Sequence, residues 1–161
     1  MKSDFVMDKQ RLLKFLVNDC DFYYSRTKGS HASYVHPVSH HSVQVVDPKH
    51  DVAGGILKNE LSFAIFSKLI SCDNADEVRE WAQNIKDEKT RKITEKYLTR
   101  YKENPYSILP SELKKICKTP DNKGALALIE SEREKHAEER AELKARKEAQ
   151  ELNKKGKAMN L

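Results

Sequence analysis

The run Arg26-Thr27-Lys28-Gly29-Ser30-His31-Ala32-Ser33-Tyr34 sets a histidine just past a glycine turn, with two cations immediately before it. Histidine suits proton transfer at neutral pH, because its unperturbed pKa of about 6.5 leaves both protonation forms available. Lysine and arginine suit the stabilisation of developing negative charge. By itself the run is also an ordinary turn with His31 a strand residue; a chemistry that would use all three types is cleavage of RNA without a metal. It requires removal of the 2′-hydroxyl proton, stabilisation of a phosphorane and protonation of the leaving oxygen. On this reading His31 is the acid–base residue, Arg26 and Lys28 contact phosphate, and Gly29 and Ser30 supply turn amides that face an anion. Tyr34 offers a ring for stacking on a base, as do Tyr23 and Tyr24. His50, in Val45-Val46-Asp47-Pro48-Lys49-His50-Asp51, is a further phosphate contact or a loop cap. Asp51 either orients a histidine or favours the start of the following helix.

Imidazole is also a common zinc ligand, but His36, His40, His41 and His50 follow no familiar zinc spacing and no cysteine lies near them. No metal and no cofactor is expected. Cys20, Cys72 and Cys117 are odd in number, far apart and form no CxxC pair, which reads as free thiols in a reducing compartment.

Around this block the sequence predicts helix, strands, helix. Residues 8–18 place Leu12, Leu13, Leu16 and Val17 on one helical face, with Phe15 at its edge. Phe22 to Thr27 is a short aromatic strand, Lys28-Gly29-Ser30 a turn, His31 to His36 a second strand, and Ser42 to Val46 a third. Gly54-Gly55 opens a helix to about Ile70, with Leu57, Leu61, Ala64, Ile65 and Leu69 as its apolar stripe. Beyond it, Asn74 with Glu77 is a capping signature before a helix carrying Val78, Trp81 and Ile85. A helix over 90–102 follows, with Ile93, Tyr97, Leu98 and Tyr101 on one side, ended by Pro105. Pro110-Ser111-Glu112 starts a short helix with Leu113 and Ile116. Residues 125–152 are one long helix by propensity, its thin stripe (Ala137, Ala141, Leu143, Ala145, Ala149, Leu152) marking a solvated or lightly docked element.

Residues 8–70 resemble the HicA family of mRNA interferase toxins. The resemblance rests on the first helix, Phe22 before the strand with Arg26, Lys28-Gly29-Ser30-His31, Tyr34 with His36-Pro37, the valine-rich third strand, Pro48 and His50, and Gly55 before the last helix. It implies a small α-β-β-β-α domain similar to the double-stranded-RNA-binding domain, an α+β fold that cleaves RNA without a metal cofactor. It also implies catalysis by the histidine of Gly-Ser-His, which falls on His31, and neutralisation by a HicB antitoxin. The chain departs from the family at Asp21, where glycine is common, in the polar Ser39-His40-His41 loop, and in the residues beyond the second helix.

The expected organisation is a HicA-like domain over residues 1–73, a helical region over 74–124, and a charged C-terminal helix and tail over 125–161. Residues 1–73 hold nine Lys and Arg against eight Asp and Glu, yet five of the six histidines. A near-neutral, histidine-rich segment is the pattern of a site, not of a nonspecific polycation. The chain as a whole carries +5 and a mean hydropathy of -0.79, a modest lean toward an anionic partner. No apolar run approaches the ~20 residues of a membrane span. Asp4 and Asp8 interrupt any secretory core, so a cytoplasmic location is expected, and the HicA resemblance implies an enzyme acting on mRNA. The extension either covers the catalytic face as a tethered inhibitor or docks a protein partner or a second copy. The alternative reading is a non-catalytic RNA-binding or protein-interaction module on the same fold.

Overall fold

Asp8 starts the first helix by accepting a hydrogen bond from the Arg11 amide at 2.9 Å. In the computed structural model, which describes residues 7–46 and 54–159, α1 (Lys9–Lys14) widens into a π-helical turn over Phe15–Asp19. That turn changes the helical phase. Phe15, expected at the edge of the stripe, is fully buried with Leu12 and Leu16, while Val17 is turned out to 43% exposure.

The chain then passes Asp21, at φ 68°, into β1 (Tyr23–Lys28), β2 (His31–Val35) and β3 (Ser42–Val46). These form one antiparallel sheet in the order β1-β2-β3. α2 (Gly54–Ser71) follows, then α3 (Ala75–Gln83), α4 (Glu88–Glu103), α5 (Pro105–Ile108), α6 (Ser111–Ile116), α7 (Asn122–Lys135) and α8 (Ala137–Met159). The architecture is mixed α+β: a three-stranded sheet and eight α-helices among the described residues. The expected opening order of helix, three strands and helix is present.

α2 organises the interior. Leu61, Ala64, Ile65 and Leu69 pack with α1, Phe22, and Val43 and Val45 of the sheet. This cluster continues into Val78, Ile85, Ile93, Tyr97 and Ile108, beyond residue 73. Phe66 and Ile70 lie on another flank of α2, against Val38, Leu109, Leu113, Ala125, Ile129 and Leu143. A helix apolar on two sides must be covered on both. The sheet layer supplies one cover and the C-terminal helices supply the other.

The extension forms through the local signals in its sequence. Asn74 accepts from the Glu77 amide at 2.9 Å and the Glu77 carboxylate accepts from the Asp73 amide at 2.8 Å. Pro105 stands at the first position of α5, where its missing N–H leaves no bond unmade. The expected single helix over 125–152 is two helices that break at His136. α7 is not lightly docked: Ala125 and Ile129 are core residues. Its start also demands Gly124, since a Cβ there would lie 2.0 Å from the Thr119 carbonyl oxygen. α8 is the largely solvated part, touching the core through Leu143.

One buried charge ties these layers together. Lys68 of α2 is buried and its ammonium lies 3.4 Å from Asp21 and 5.4 Å from the centroid of the Trp81 ring. Lys147 of α8 reaches the same Asp21 oxygen at 2.7 Å. Burial would raise the Asp21 carboxyl, but Lys68 and Lys147 hold it below its ordinary value. Asp21 therefore stabilises the fold in its ionised form. That contribution is complete above the unfolded carboxyl's pKa of about 3.9 and is lost as pH falls through the lower folded value. Asp21→Gly relieves the left-handed φ but leaves Lys68 buried without its partner. A loss of about 3 kcal/mol is expected at pH 7, read from the urea midpoint. A variant as stable as the parent would show that backbone relief outweighs the ion pair.

Candidate nucleic-acid interface

Strand register decides which of the expected site residues meet. Lys28 and His31 are directly paired across the two-residue turn Gly29-Ser30. Gly29 has φ +63° and Ser30 is not in the positive-φ region, the φ pattern of a type II′ hairpin turn with glycine at its first central position. Directly paired residues project to the same face, and alternate residues along a strand share it. Arg26, paired with Ser33, therefore joins Lys28 and His31 on one face, with Gln44 and Ser42 of β3 beyond them. This face is open to solvent. β1 is exposed along its whole length, as are His31, Ser42 and Gln44, whereas Val43 and Val45 on the other face are buried.

A β-bulge between Tyr24 and Arg26 changes the parity of β1. Tyr23 pairs with Val35 on the open face and is 51% exposed. Tyr24 pairs with Tyr34 on the opposite face, the two rings edge to face at 5.8 Å, and is itself 55% exposed with its hydroxyl 2.6 Å from Thr27 Oγ1. Tyr34 is thus not brought together with His31: it stands three residues along the same strand, packs against the core and points the opposite way. The aromatic that shares the face with the cations is Tyr23. Arg26, Lys28 and His31 make no ion pair with another described residue, so two cationic side chains face solvent there. Ser30 is exposed in the turn. His50 and Asp51 lie outside the described residues.

The remaining histidines do other work. His36 is fully buried, and its Nδ1 accepts from the amides of Val38 at 3.1 Å and Ser39 at 3.3 Å. Its ring packs edge-on against Phe22 at 5.1 Å. It fixes the turn into β3 as a neutral acceptor. Burial is the main cause that lowers its pKa from 6.5 to about 3; Asp21 opposes this, while Lys68, Lys147 and His41 reinforce it. His41 lies against Phe63 and Phe66, and its pKa is likewise lowered by burial. His40 leaves the sheet altogether and approaches α8.

One ionisable group escaped the sequence reading. Burial raises Glu60 of α2 to about 7, with Lys9 opposing, and its Oε2 is buried without a hydrogen-bond partner. It lines a cleft of about 380 Å³ with Ser42, Gln44 and Asn59, beside edge strand β3. The signal for it was an acid set among Leu57, Leu61 and Ala64 on one helical stripe.

Among the described residues, the polar contacts of the extension include those on Arg11, Asp19, Asp21, His40, Asn59, Leu69 and Asp73, through Asp87, Trp81, Lys147, Glu139, Ser111, Arg133 and Arg140, and none falls on Arg26, Lys28 or His31. The tethered-inhibitor expectation is corrected accordingly: α2 needed a cover on its second flank, and α7 and α8 provide it there.

No family model, curated protein or solved structure matches the chain. Fold and face together define a mixed α+β protein with a cationic, histidine-bearing sheet surface. The buried, hydrogen-bonded His36 turn gives one measurable consequence. Because the folded pKa of His36 lies below the unfolded one, the contribution of this residue is complete above about pH 6.5 and declines as pH falls toward 3, by roughly 1.4 kcal/mol per unit, while the raised Glu60 contributes with the opposite sign between about pH 7 and 4.5. His36→Asn retains a side-chain acceptor for the two amides and should remove the acid-side loss due to residue 36, raising the pH 6 to 4 limb of the urea-midpoint profile relative to the parent's. An unchanged limb would assign that slope to other groups.

Proposed function

We propose that the open face of the sheet binds single-stranded RNA and that His31 cleaves it without a metal ion, as the HicA resemblance implies for a fold of the double-stranded-RNA-binding type. The observation that supports this most directly is the placement of His31, Lys28 and Arg26 on one exposed face across a tight turn. In the proposed reaction His31 takes the 2′-hydroxyl proton while the 2′-oxygen attacks phosphorus. The bond from phosphorus to the 5′-oxygen breaks, leaving a cyclic phosphate, and solvent protonates the departing oxygen. Arg26 and Lys28 hold the non-bridging oxygens, where charge accumulates. The Gly29 and Ser30 amides add donors at the tip, and Tyr23 offers a ring to a neighbouring base. The same reading takes mRNA as the substrate and a HicB-type antitoxin as the partner that would occlude this face.

The test is cleavage of a single-stranded RNA by full-length protein in excess chelator, beside His31→Ala. A loss of about 10²–10⁴-fold in rate is expected, with the urea midpoint unchanged because His31 is exposed. Cleavage that survives the substitution would remove His31 from the chemistry. Binding without cleavage in either protein would assign the face to a non-catalytic module. Arg26→Ala and Lys28→Ala should each reduce the slope of log affinity against log salt by about 0.7, the value for one lost phosphate contact on a single strand. Slopes equal to that of the parent would place the RNA elsewhere.

A further inference from the structure

We infer a zinc-class metal site where the sheet meets the C-terminal helices, built by His40, His136 and Glu139. One ligand atom from each residue lies within 4.8 Å of the other two. His40 Nε2 stands 3.6 Å from one Glu139 carboxylate oxygen, and His136 Nδ1 stands 3.7 Å from the other. Tetrahedral zinc with ligands at about 2.0–2.1 Å separates its donors by about 3.4 Å. The two distances use different oxygens of Glu139; with one donor from each residue the three lie within 4.8 Å, so the side chains must draw together by up to about 1.4 Å to receive an ion. Two imidazoles and a carboxylate are the donor set of a zinc site that keeps a fourth position for water.

Two further observations point to a ligand. His136 is 8% exposed, and its Nδ1 is buried with no hydrogen-bond partner. An unpartnered buried nitrogen is costly unless something occupies its lone pair. The opposite ring nitrogen, Nε2, faces the Glu132 carboxylate at 3.4 Å. A carboxylate behind a histidine is the arrangement that fixes the tautomer and turns the other nitrogen toward a metal. His40 is held at φ 62°, an uncommon conformation for a residue with a Cβ, and its amide donates to the His36 carbonyl at 3.0 Å. The turn thus projects His40 toward α8, and its ring lies 5.4 Å from that of His136. His136 is also the break between α7 and α8. An ion there would clasp the β2–β3 loop to the hinge of the C-terminal helices. The inference is independent of the proposed nuclease activity, which uses the other end of β2.

Full-length, metal-free protein should be titrated calorimetrically with Zn²⁺, Co²⁺ and Mg²⁺. One equivalent of Zn²⁺ or Co²⁺ is expected and no Mg²⁺, which prefers octahedral oxygen ligands. His40→Asn tolerates the left-handed backbone, and Glu139→Gln keeps the side-chain shape. Each should abolish the one-to-one binding while leaving the metal-free urea midpoint near that of the parent. Glu132→Gln should weaken zinc about 10–100-fold, as loss of a supporting carboxylate does. His31→Ala should bind as the parent does. Absence of zinc binding by the parent, or unchanged stoichiometry and affinity in both His40→Asn and Glu139→Gln, would overturn the assignment.

Discussion

Helix α2 has almost no solvent side along its second half. From Leu61 to Ile70 every residue except Phe63 is buried. Fully burying a large apolar side chain contributes about 1.5–3 kcal/mol, and Phe66, Ile70 and Val38 all lie in the cluster that the C-terminal helices complete. Together these three represent a sum of the same order as the roughly 5–15 kcal/mol that holds a typical domain folded. The opening helix–sheet–helix unit and the helical extension are therefore coupled through one helix. The extension is a second cover for the core, and the sheet's outer face is the surface left over.

Charges refine this arrangement without driving it. Arg140 and Lys144 both reach Asp73, but that carboxylate is half exposed, and such pairs are worth about 0–1 kcal/mol. Asp21 differs because it compensates the buried Lys68 while also receiving Lys147. Arg133 adds two hydrogen bonds to the Leu69 carbonyl, at 3.0 and 2.8 Å. α8 is thus fixed where it crosses Asp21 and Asp73 and where its Leu143 enters the core, while residues 148–155 are exposed. Asp21 occupies a left-handed position that glycine would take freely, and this chain uses it for a carboxylate. Asp21 and the C-terminal helix that reaches it are then two parts of one interaction.

Much of the element order was legible because it depends on short-range signals. Alternation gave the strands, Gly29 the turn, Asn74 with Glu77 a helix start, and Pro105 a helix end. The face shared by Arg26, Lys28 and His31 was not legible, since the sequence assigned Lys28 to the turn; it follows from strand parity once Lys28 pairs with His31 across two residues. The same parity separates His31 from Tyr34, an odd number of positions apart, and should have directed attention to Tyr23 once the bulge was known. The bulge itself, the π-helical turn that rotates Val17 outward, and the break at His136 depend on packing with residues far along the chain. Phe66 and Ile70, which form a second apolar flank of α2, were not singled out in the sequence, so the need for a further covering layer was missed. The charged, alanine-rich character of the residues after Ile129 hid how deeply Ala125 and Ile129 are buried.

The histidines show why composition alone marks a region but not its chemistry. An imidazole can transfer a proton, accept a hydrogen bond or ligate a metal, and its surroundings select among these. His31 is exposed beside cations, a setting for proton transfer on a polyanion. His36 is enclosed by Phe22 and two amide donors, which require it neutral and make it an acceptor. His40 and His136 converge on Glu139, with Glu132 behind, which is the setting of a ligand. His31 opens β2 and His40 lies beyond its end, so strand rise alone sets them roughly 15 Å or more apart. The proposed RNA face and metal clasp thus occupy different ends of one strand. A chelator that loosened α8 would leave the hairpin that carries His31 in place, so a metal-dependent stability would be compatible with the proposed metal-independent cleavage.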